Sequence, residues 1–154
     1  MVDLVREMVE AMFDDGNLLR KNGDSIEEAP VSELIKDTKI VGIYFSMHNC
    51  PPCRKFTPIF AELYREVNES SKEFEVIFCS GDKTQEQFDE YYGEMPWVAL
   101  PRGDARLAKL AKKFEVKGVP RLIILKPDGT VIDSNAVQKV TNEGPVAIEE
   151  YLAA

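Results

Sequence analysis

The chain of 154 residues contains three cysteines, and two of them stand as Cys50-Pro51-Pro52-Cys53. An odd, small number argues against a secreted disulfide framework. In a reducing compartment, thiols at this spacing serve either redox exchange or a metal. The metal alternative would draw on His48 and on the third cysteine, Cys79. A structural zinc site brings its second ligand pair at similarly short spacing. The sequence has no second pair, so no metal is expected. For redox exchange the surroundings fit better. An apolar run from Lys39 to Ser46 leads into Cys50, and a helical pattern begins behind it. A helix N-terminus presents unpaired N–H groups and a partial positive charge. Both favour a thiolate, so the Cys50 thiol is expected to ionise below its reference pKa of about 8.5. Arg54 and Lys55 add positive charge. Pro51 and Pro52 cost little in a first turn, whose donors have no partner within the helix, and they stiffen the loop. The expected cycle has two steps. Cys50 attacks a substrate disulfide as nucleophile, and Cys53 then resolves the mixed disulfide and releases reduced substrate.

The elements that must hold this pair can be read from periodicity. Residues 39–46 form a continuous apolar run with β-branched and aromatic members, the mark of a strand buried on both faces. After the cysteines, Phe56, Ile59, Phe60, Leu63, Tyr64 and Val67 recur at three and four, one helical face. Pro58 lies inside that helix and is expected to kink it, since it removes a donor near Arg54. Phe74 to Ser80 is a second buried strand. Thr84-x-x-Gln87 has the form of a capping box, with Phe88, Tyr91 and Tyr92 facing inward behind it. Asp104 is expected to cap a helix that buries Leu107, Leu110, Ala111 and Phe114. Residues 121–125 read as a strand, Asp128-Gly129 as a hairpin turn, 130–132 as the returning strand and 145–152 as a closing helix. Towards the N-terminus, the spacing of Leu4, Val5, Met8, Val9 and Met12 predicts a helix over residues 3–13. Lys21-Asn22-Gly23-Asp24 carries an Asn-Gly turn signal, with Leu18-Leu19 and Ile26 in flanking edge strands. Strands alternating with helices imply right-handed crossovers and a parallel centre. The expected fold is α/β, a central mixed β-sheet flanked by helices on both faces. It forms a single domain over residues 1–154, with residues 1–16 as a helical extension.

Length supports one domain with a real core. Lys and Arg number 19 against 27 Asp and Glu, a net charge of −8. Nucleic-acid binding starts from a concentrated positive field, and no basic run exceeds pairs such as Lys112-Lys113, so no nucleic-acid partner is expected. Anionic membranes are disfavoured for the same reason, and no apolar run approaches the roughly 20 residues of a membrane span. The first ten residues alternate charged and apolar groups, unlike the uninterrupted stretch of a secretory signal. The expected location is the cytoplasm, with the nucleus also open, and the expected state is a monomer. No Gly-rich dinucleotide fingerprint is present, so no cofactor is expected and hydride chemistry belongs to another protein.

At these residues the sequence resembles the thioredoxin superfamily, and more narrowly its tryparedoxin and nucleoredoxin branch. The likeness runs from about Asn17 to Leu152. It rests on Val41-Gly-Ile-Tyr-Phe-Ser46, Cys50-Pro-Pro-Cys-Arg-Lys-Phe-Thr-Pro58 and Phe74-Glu-Val-Ile-Phe-Cys-Ser80. It continues through Met95-Pro-Trp-Val-Ala-Leu-Pro101, Phe114-Glu-Val-Lys-Gly-Val-Pro120 and Pro127-Asp-Gly129. The resemblance implies the thioredoxin fold and dithiol–disulfide exchange with Cys50 and Cys53 as the redox-active pair. It also implies a cis Val119–Pro120 peptide facing Cys50, in a loop whose backbone edge pairs with an extended substrate segment. By the same analogy Trp97 lines the region beside the active site, against the plainer reading of core packing.

Departures from the family pattern are equally specific. Asn49 stands where the family usually has Trp, which bears on substrate contacts. Tyr44 occupies the strand position where thioredoxins proper carry a buried Asp. The proton acceptor for Cys53 is then open, with water the simplest candidate. Arg121 follows Pro120 in place of Thr and either lies near the sulfurs or is solvated. Cys79 reads as an inert buried residue, with a regulatory thiol as the alternative. His48 reads as a surface loop residue that could tune Cys50 electrostatically. The expected function is reduction of protein disulfides. Substrates would be disulfide-containing proteins, by family analogy including a peroxiredoxin-type enzyme. Electrons would come from glutathione, a larger dithiol or an upstream flavin-dependent reductase. The alternative is a catalytically weak thioredoxin-fold binding or signalling module, or a redox sensor.

Overall fold

The structure, a computed structural model, describes residues 7–154. Leu4 and Val5, the start of the helix expected over residues 3–13, lie outside the described residues. Within them the helical part is shorter, α1 (Val9–Met12). Val9, Met12 and Phe13 are buried, and Met8 is exposed. Asp14 and Asp15 follow at φ 57° and 50°, a left-handed conformation that Asp tolerates better than most residues and that ends the helix.

Strands β1 (Asn17–Asn22) and β2 (Ser25–Pro30) form the expected hairpin, with Asn22 opposite Ser25. Gly23 takes the first central turn position at φ 65°, where most side chains would be strained. A four-residue helix, α2 (Val31–Leu34), follows. The two apolar runs become β3 (Ile40–Ser46) and β4 (Phe74–Ser80), each buried at all seven positions. They pair in parallel across α3 (Pro51–Val67). This helix is continuous through Pro58. Next come α4 (Gln85–Tyr92), the two-residue β5 (Val98–Ala99) parallel to β4, and α5 (Ala105–Lys113). The chain closes with β6 (Arg121–Leu125), β7 (Val131–Asp133), α6 (Val137–Glu143) and α7 (Pro145–Ala153). Sequence reading had no place for α2, β5 or α6.

The sheet has the order β2-β1-β5-β4-β3-β6-β7. Its centre, β5-β4-β3, is parallel, and the strands on either side run antiparallel. Apolar residues of α3, α4, α6 and α7 join one core cluster, and those of α1, α2 and α5 another. The helices therefore cover both faces. Caps fix the helix starts. The Thr84 hydroxyl accepts from the Gln87 N–H at 3.1 Å, and the Gln87 side chain returns to the Lys83 N–H at 3.3 Å, one residue before the expected partner. Asp104 accepts from the Arg106 N–H at 2.9 Å. Of the four apolar residues expected to face inward on α5, Leu110 is fully buried, while Leu107, Ala111 and Phe114 pack half-buried against the core.

One charge lies wholly inside. Glu75 is 0% exposed. Its carboxylate accepts from Tyr64 Oη at 2.8 Å and from the Val76 N–H at 2.9 Å, and it pairs with the Lys72 ammonium. Burial outweighs these partners and raises its pKa above the ordinary 4.5. A raised value means that the folded chain holds its proton more tightly than the unfolded chain does. The Glu75 contribution to stability is thus largest below 4.5 and is lost as pH rises through the folded-state pKa. Wild type should therefore lose ground to Glu75→Gln as pH rises from about 4 to 8, read from urea midpoints. A constant difference over that range would contradict the assignment.

Candidate active site

Strand β3 ends at Ser46, and Met47, His48 and Asn49 carry the chain to Cys50, the N-cap of α3. Pro51 and Pro52 fill the first two helical positions and have no N–H to offer. The first free donor of the helix is therefore the Cys53 N–H, and it donates to Cys50 Sγ at 3.4 Å. The two prolines thus focus the helix N-terminus on one sulfur. The Cys50 carbonyl accepts from the Arg54 N–H at 2.9 Å, which closes the first turn.

The two thiols differ in access. Cys50 is half-buried and reaches solvent, whereas Cys53 is 0% exposed, and both are free thiols. Burial, and after it the hydrogen bond with Cys50, push the Cys53 thiol up to about 11, opposed by the Ser46 hydroxyl and the Met47 backbone N–H. On its other side Cys50 Sγ faces the Val119 carbonyl at 3.8 Å, and the Val119–Pro120 peptide is cis. Beside them runs an apolar groove of about 240 Å³ lined by Pro52, Phe56, Ile59, Pro120 and Val137.

The remaining expected residues fall into clear places. Trp97 is 1% exposed and packs its ring 4.9 Å from Phe60, 5.6 Å from Tyr64 and 5.8 Å from Tyr44. It is enclosed in the core, the plainer of its two readings, which corrects the expectation that it lines the region beside the active site. Arg121 neither faces the sulfurs nor is simply solvated. Its guanidinium is spent on the carbonyls of Ser134 at 2.7 Å, Phe114 at 3.2 Å and Glu115 at 3.5 Å. Cys79 is 1% exposed on β4, where burial pushes its thiol pKa up. Among the described residues no group of three or more His, Cys, Asp or Glu is gathered that could hold a metal.

His48 is more than a loop residue, with a side chain 17% exposed. Its backbone N–H donates to Asp82 at 2.6 Å. Arg54 donates to Nε2 at 3.0 Å, which leaves Nδ1 as the donor to Asn49 Oδ1 at 3.2 Å. The ring stands edge-on to Tyr91 at 5.8 Å. These contacts tie the turn before Cys50 to α3 and α4, while Asn49 itself stays exposed.

Behind Cys53 lies a feature that sequence reasoning missed. Tyr44, Ser46, Thr57 and Tyr91 are all buried, and their hydroxyls meet one another. Tyr44 Oη and Thr57 Oγ1 are 2.7 Å apart, Thr57 Oγ1 and Tyr91 Oη 2.6 Å, and Tyr91 Oη and Ser46 Oγ 2.6 Å. The available signal was polar residues in apolar settings. Ser46 ends an apolar strand, and Thr57 sits next to the buried face of α3.

Comparison with known proteins agrees with this arrangement. The Thioredoxin-like family model matches residues 37–131. Probable nucleoredoxin 1 of Arabidopsis thaliana is 44% identical over 138 residues, which are 90% of this chain and 24% of that protein. The chain thus spans about a quarter of the length of that relative. Tryparedoxin from Trypanosoma brucei superposes with a TM-score of 0.76 at 37% identity, over 89% of this chain and 92% of that one. A tryparedoxin II complexed with glutathionylspermidine superposes with a TM-score of 0.76 at 33% identity, over 90% and 94%. The architecture is the thioredoxin fold, and the chain belongs to the thioredoxin-like oxidoreductases, in the branch of the tryparedoxins and nucleoredoxins.

Proposed function

We propose that this chain reduces protein disulfides, with Cys50 as nucleophile and Cys53 as resolving thiol. The observation that carries the proposal is the asymmetry of the pair, one sulfur open at a helix N-cap and the other sealed directly behind it. The Cys50 thiolate attacks a substrate disulfide. One substrate sulfur leaves as thiolate and takes up a proton, and the other is held as a mixed disulfide. Cys53 then attacks Cys50 Sγ, the second substrate sulfur leaves, and the Cys53 proton neutralises it. The protein ends as the Cys50–Cys53 disulfide, and the substrate has gained two electrons and two protons.

Val119 and Pro120 offer the substrate an extended backbone edge beside Cys50, with the Val119 carbonyl already directed at the sulfur. The adjoining apolar groove would take a side chain flanking the substrate cysteine. Substrates are disulfide-bearing proteins, a peroxiredoxin-type enzyme among them, and a thiol or dithiol donor restores the reduced pair. The glutathionylspermidine complex of the structural neighbour supports a small glutathione-like thiol in that second role. The chain acts as one thioredoxin-like domain and as a monomer, in the cytoplasm or nucleus. Among the described residues no helix is long and apolar enough to cross a membrane.

Equilibration against glutathione or dithiothreitol buffers tests the reading. The Cys50–Cys53 pair is expected to titrate reversibly with two electrons, within the cytosolic glutathione range of about −220 to −320 mV. A pair locked in one state across that range would instead favour the binding or signalling module.

A further inference from the structure

Arg54 lies one turn after Cys50 on α3, with its N–H on the Cys50 carbonyl at 2.9 Å. Residues four apart share a helical face, and helical side chains lean toward the N-terminus. Arg54 therefore reaches toward the loop that carries Cys50. There its guanidinium donates to His48 Nε2 at 3.0 Å and to the His48 carbonyl at 3.5 Å. We propose that His48 is a pH-operated latch on Arg54, and that the released guanidinium selects disulfides carrying a carboxylate near the sulfur. The proposal rests on the disulfide-exchange reading and adds to it a specificity-determining residue and the group that governs it.

Hydrogen positions decide the latch. A nitrogen that accepts from Arg54 carries no proton, so the hydrogen of the neutral ring sits on Nδ1 and is donated to Asn49 Oδ1 at 3.2 Å. Asn49, where the family pattern has Trp, thus holds the ring in the one tautomer that can accept from Arg54. A second proton on the ring goes to Nε2. The contact with Arg54 then sets donor against donor and cation against cation. An acceptor for the new N–H stands close by, since Glu90 Oε1 lies 3.7 Å from Nε2. Protonation therefore passes the ring from Arg54 to Glu90. Imidazole is the side chain that changes charge between about pH 5 and 8.

The remaining groups around His48 hold it still. Asp82, in the loop after β4, accepts from the His48 N–H at 2.6 Å, and Tyr91 of α4 stands edge-on to the ring at 5.8 Å. Neither contact involves a ring nitrogen, so both persist when the ring is charged, and the group that moves is the guanidinium. Arg54 is exposed, and among the described residues no carboxylate pairs with it. Once released, it is a free cation one turn from the attacking sulfur, in a chain whose net charge of −8 otherwise repels acidic substrates.

The test reads specificity as a ratio of stopped-flow rates on the fully reduced protein. The first, concentration-dependent thiolate release is measured with Ellman's reagent, a dicarboxylate, and with its neutral diamide. Both report attack by Cys50, so the ratio cancels the ionisation of that thiol and leaves the effect of substrate charge. In wild type the ratio should rise about threefold from about pH 8 to about pH 5.5, the scale of one exposed ion pair, and the rise should fade in high salt. His48→Ala opens the latch permanently, so its ratio should be high at both pH values. His48→Gln offers a neutral acceptor that keeps Arg54 bound, so its ratio should be low at both. Arg54→Gln should also be low and flat. If the charge of the ring acted alone, the two His48 variants would match and Arg54→Gln would keep the rise. His48 is the single histidine of the chain, so its ring nitrogens can be read directly by NMR, with the hydrogen expected on Nδ1 at about pH 8. A hydrogen on Nε2, matching ratios in the two His48 variants, a wild-type ratio flat with pH, or a rise retained in Arg54→Gln overturns the proposal and leaves the disulfide-exchange reading standing. Absence of a first phase with both reagents overturns that reading, and the proposal with it.

Discussion

Cys50→Ser is expected to lower the turnover of insulin disulfides with dithiothreitol by at least about a thousandfold, to the uncatalysed rate. A serine hydroxyl at this position is a far weaker nucleophile than a thiolate. Cys53→Ser should lose turnover on the same scale for a different reason. Cys50 still attacks, but nothing displaces what it captures, so the protein accumulates as a covalent adduct visible on a non-reducing gel. The asymmetry follows from exposure, because only Cys50 can reach a protein-sized disulfide. Effects of groups that act as a unit do not add, so the double variant should be no slower than Cys50→Ser. Cys79→Ala is the control, since a thiol 1% exposed on β4 can neither capture substrate nor resolve it. An adduct on Cys53 in the Cys50→Ser protein, or full turnover without either sulfur, would reverse the assignment.

The order of events also has a physical basis. Part of what holds Cys53 protonated is its hydrogen bond with Cys50. Once Cys50 is tied up in a mixed disulfide, that contribution disappears, while the Ser46 hydroxyl and the Met47 N–H remain to favour the thiolate. Capture at Cys50 therefore primes Cys53. In the resting dithiol the same contribution keeps Cys53 neutral.

Much of this was legible from residues alone, and the boundary of legibility is physical. β3, Cys50 and α3 were readable because a two-sided apolar run and a 3.6-residue pattern are local signals, and the cysteines sit at their junction. The hairpin turn at Gly23 is likewise local. β5 was not readable, since two residues carry no period, and it exists because Ile77, Phe78 and Leu19 pair with it. α6 was missed because it spans only seven residues, buries Val140 alone and is cut off from α7 by Gly144 at φ 61°. The hydroxyl chain joins residues up to 45 positions apart, and no spacing rule predicts such contacts. Arg121 shows the same limit, because three carbonyls from two other segments settle its direction.

Trp97→Ala should cost about 3–5 kcal/mol of stability, the range for truncating a large aromatic in a packed core. For a chain of this length that corresponds to a fall in Tm of roughly 10 °C. The cost follows from the packing, with three aromatic rings within 6 Å of the indole and no solvent-facing side. Trp97→Phe should cost under about 2 kcal/mol, because a ring still fills most of the volume. It also removes an indole N–H that has no hydrogen-bond partner among the described residues, which offsets part of the lost packing. The two readings of Trp97 separate cleanly here. A substrate-lining residue would raise KM in the Phe variant while leaving the urea midpoint alone. A core residue moves the midpoint and leaves KM unchanged, and the burial of Trp97 predicts the second pattern. The Ala variant adds one more readout. Tyr44 rests edge-on against this indole, so a cavity at position 97 should let its ring shift, seen as a changed near-UV circular dichroism signal.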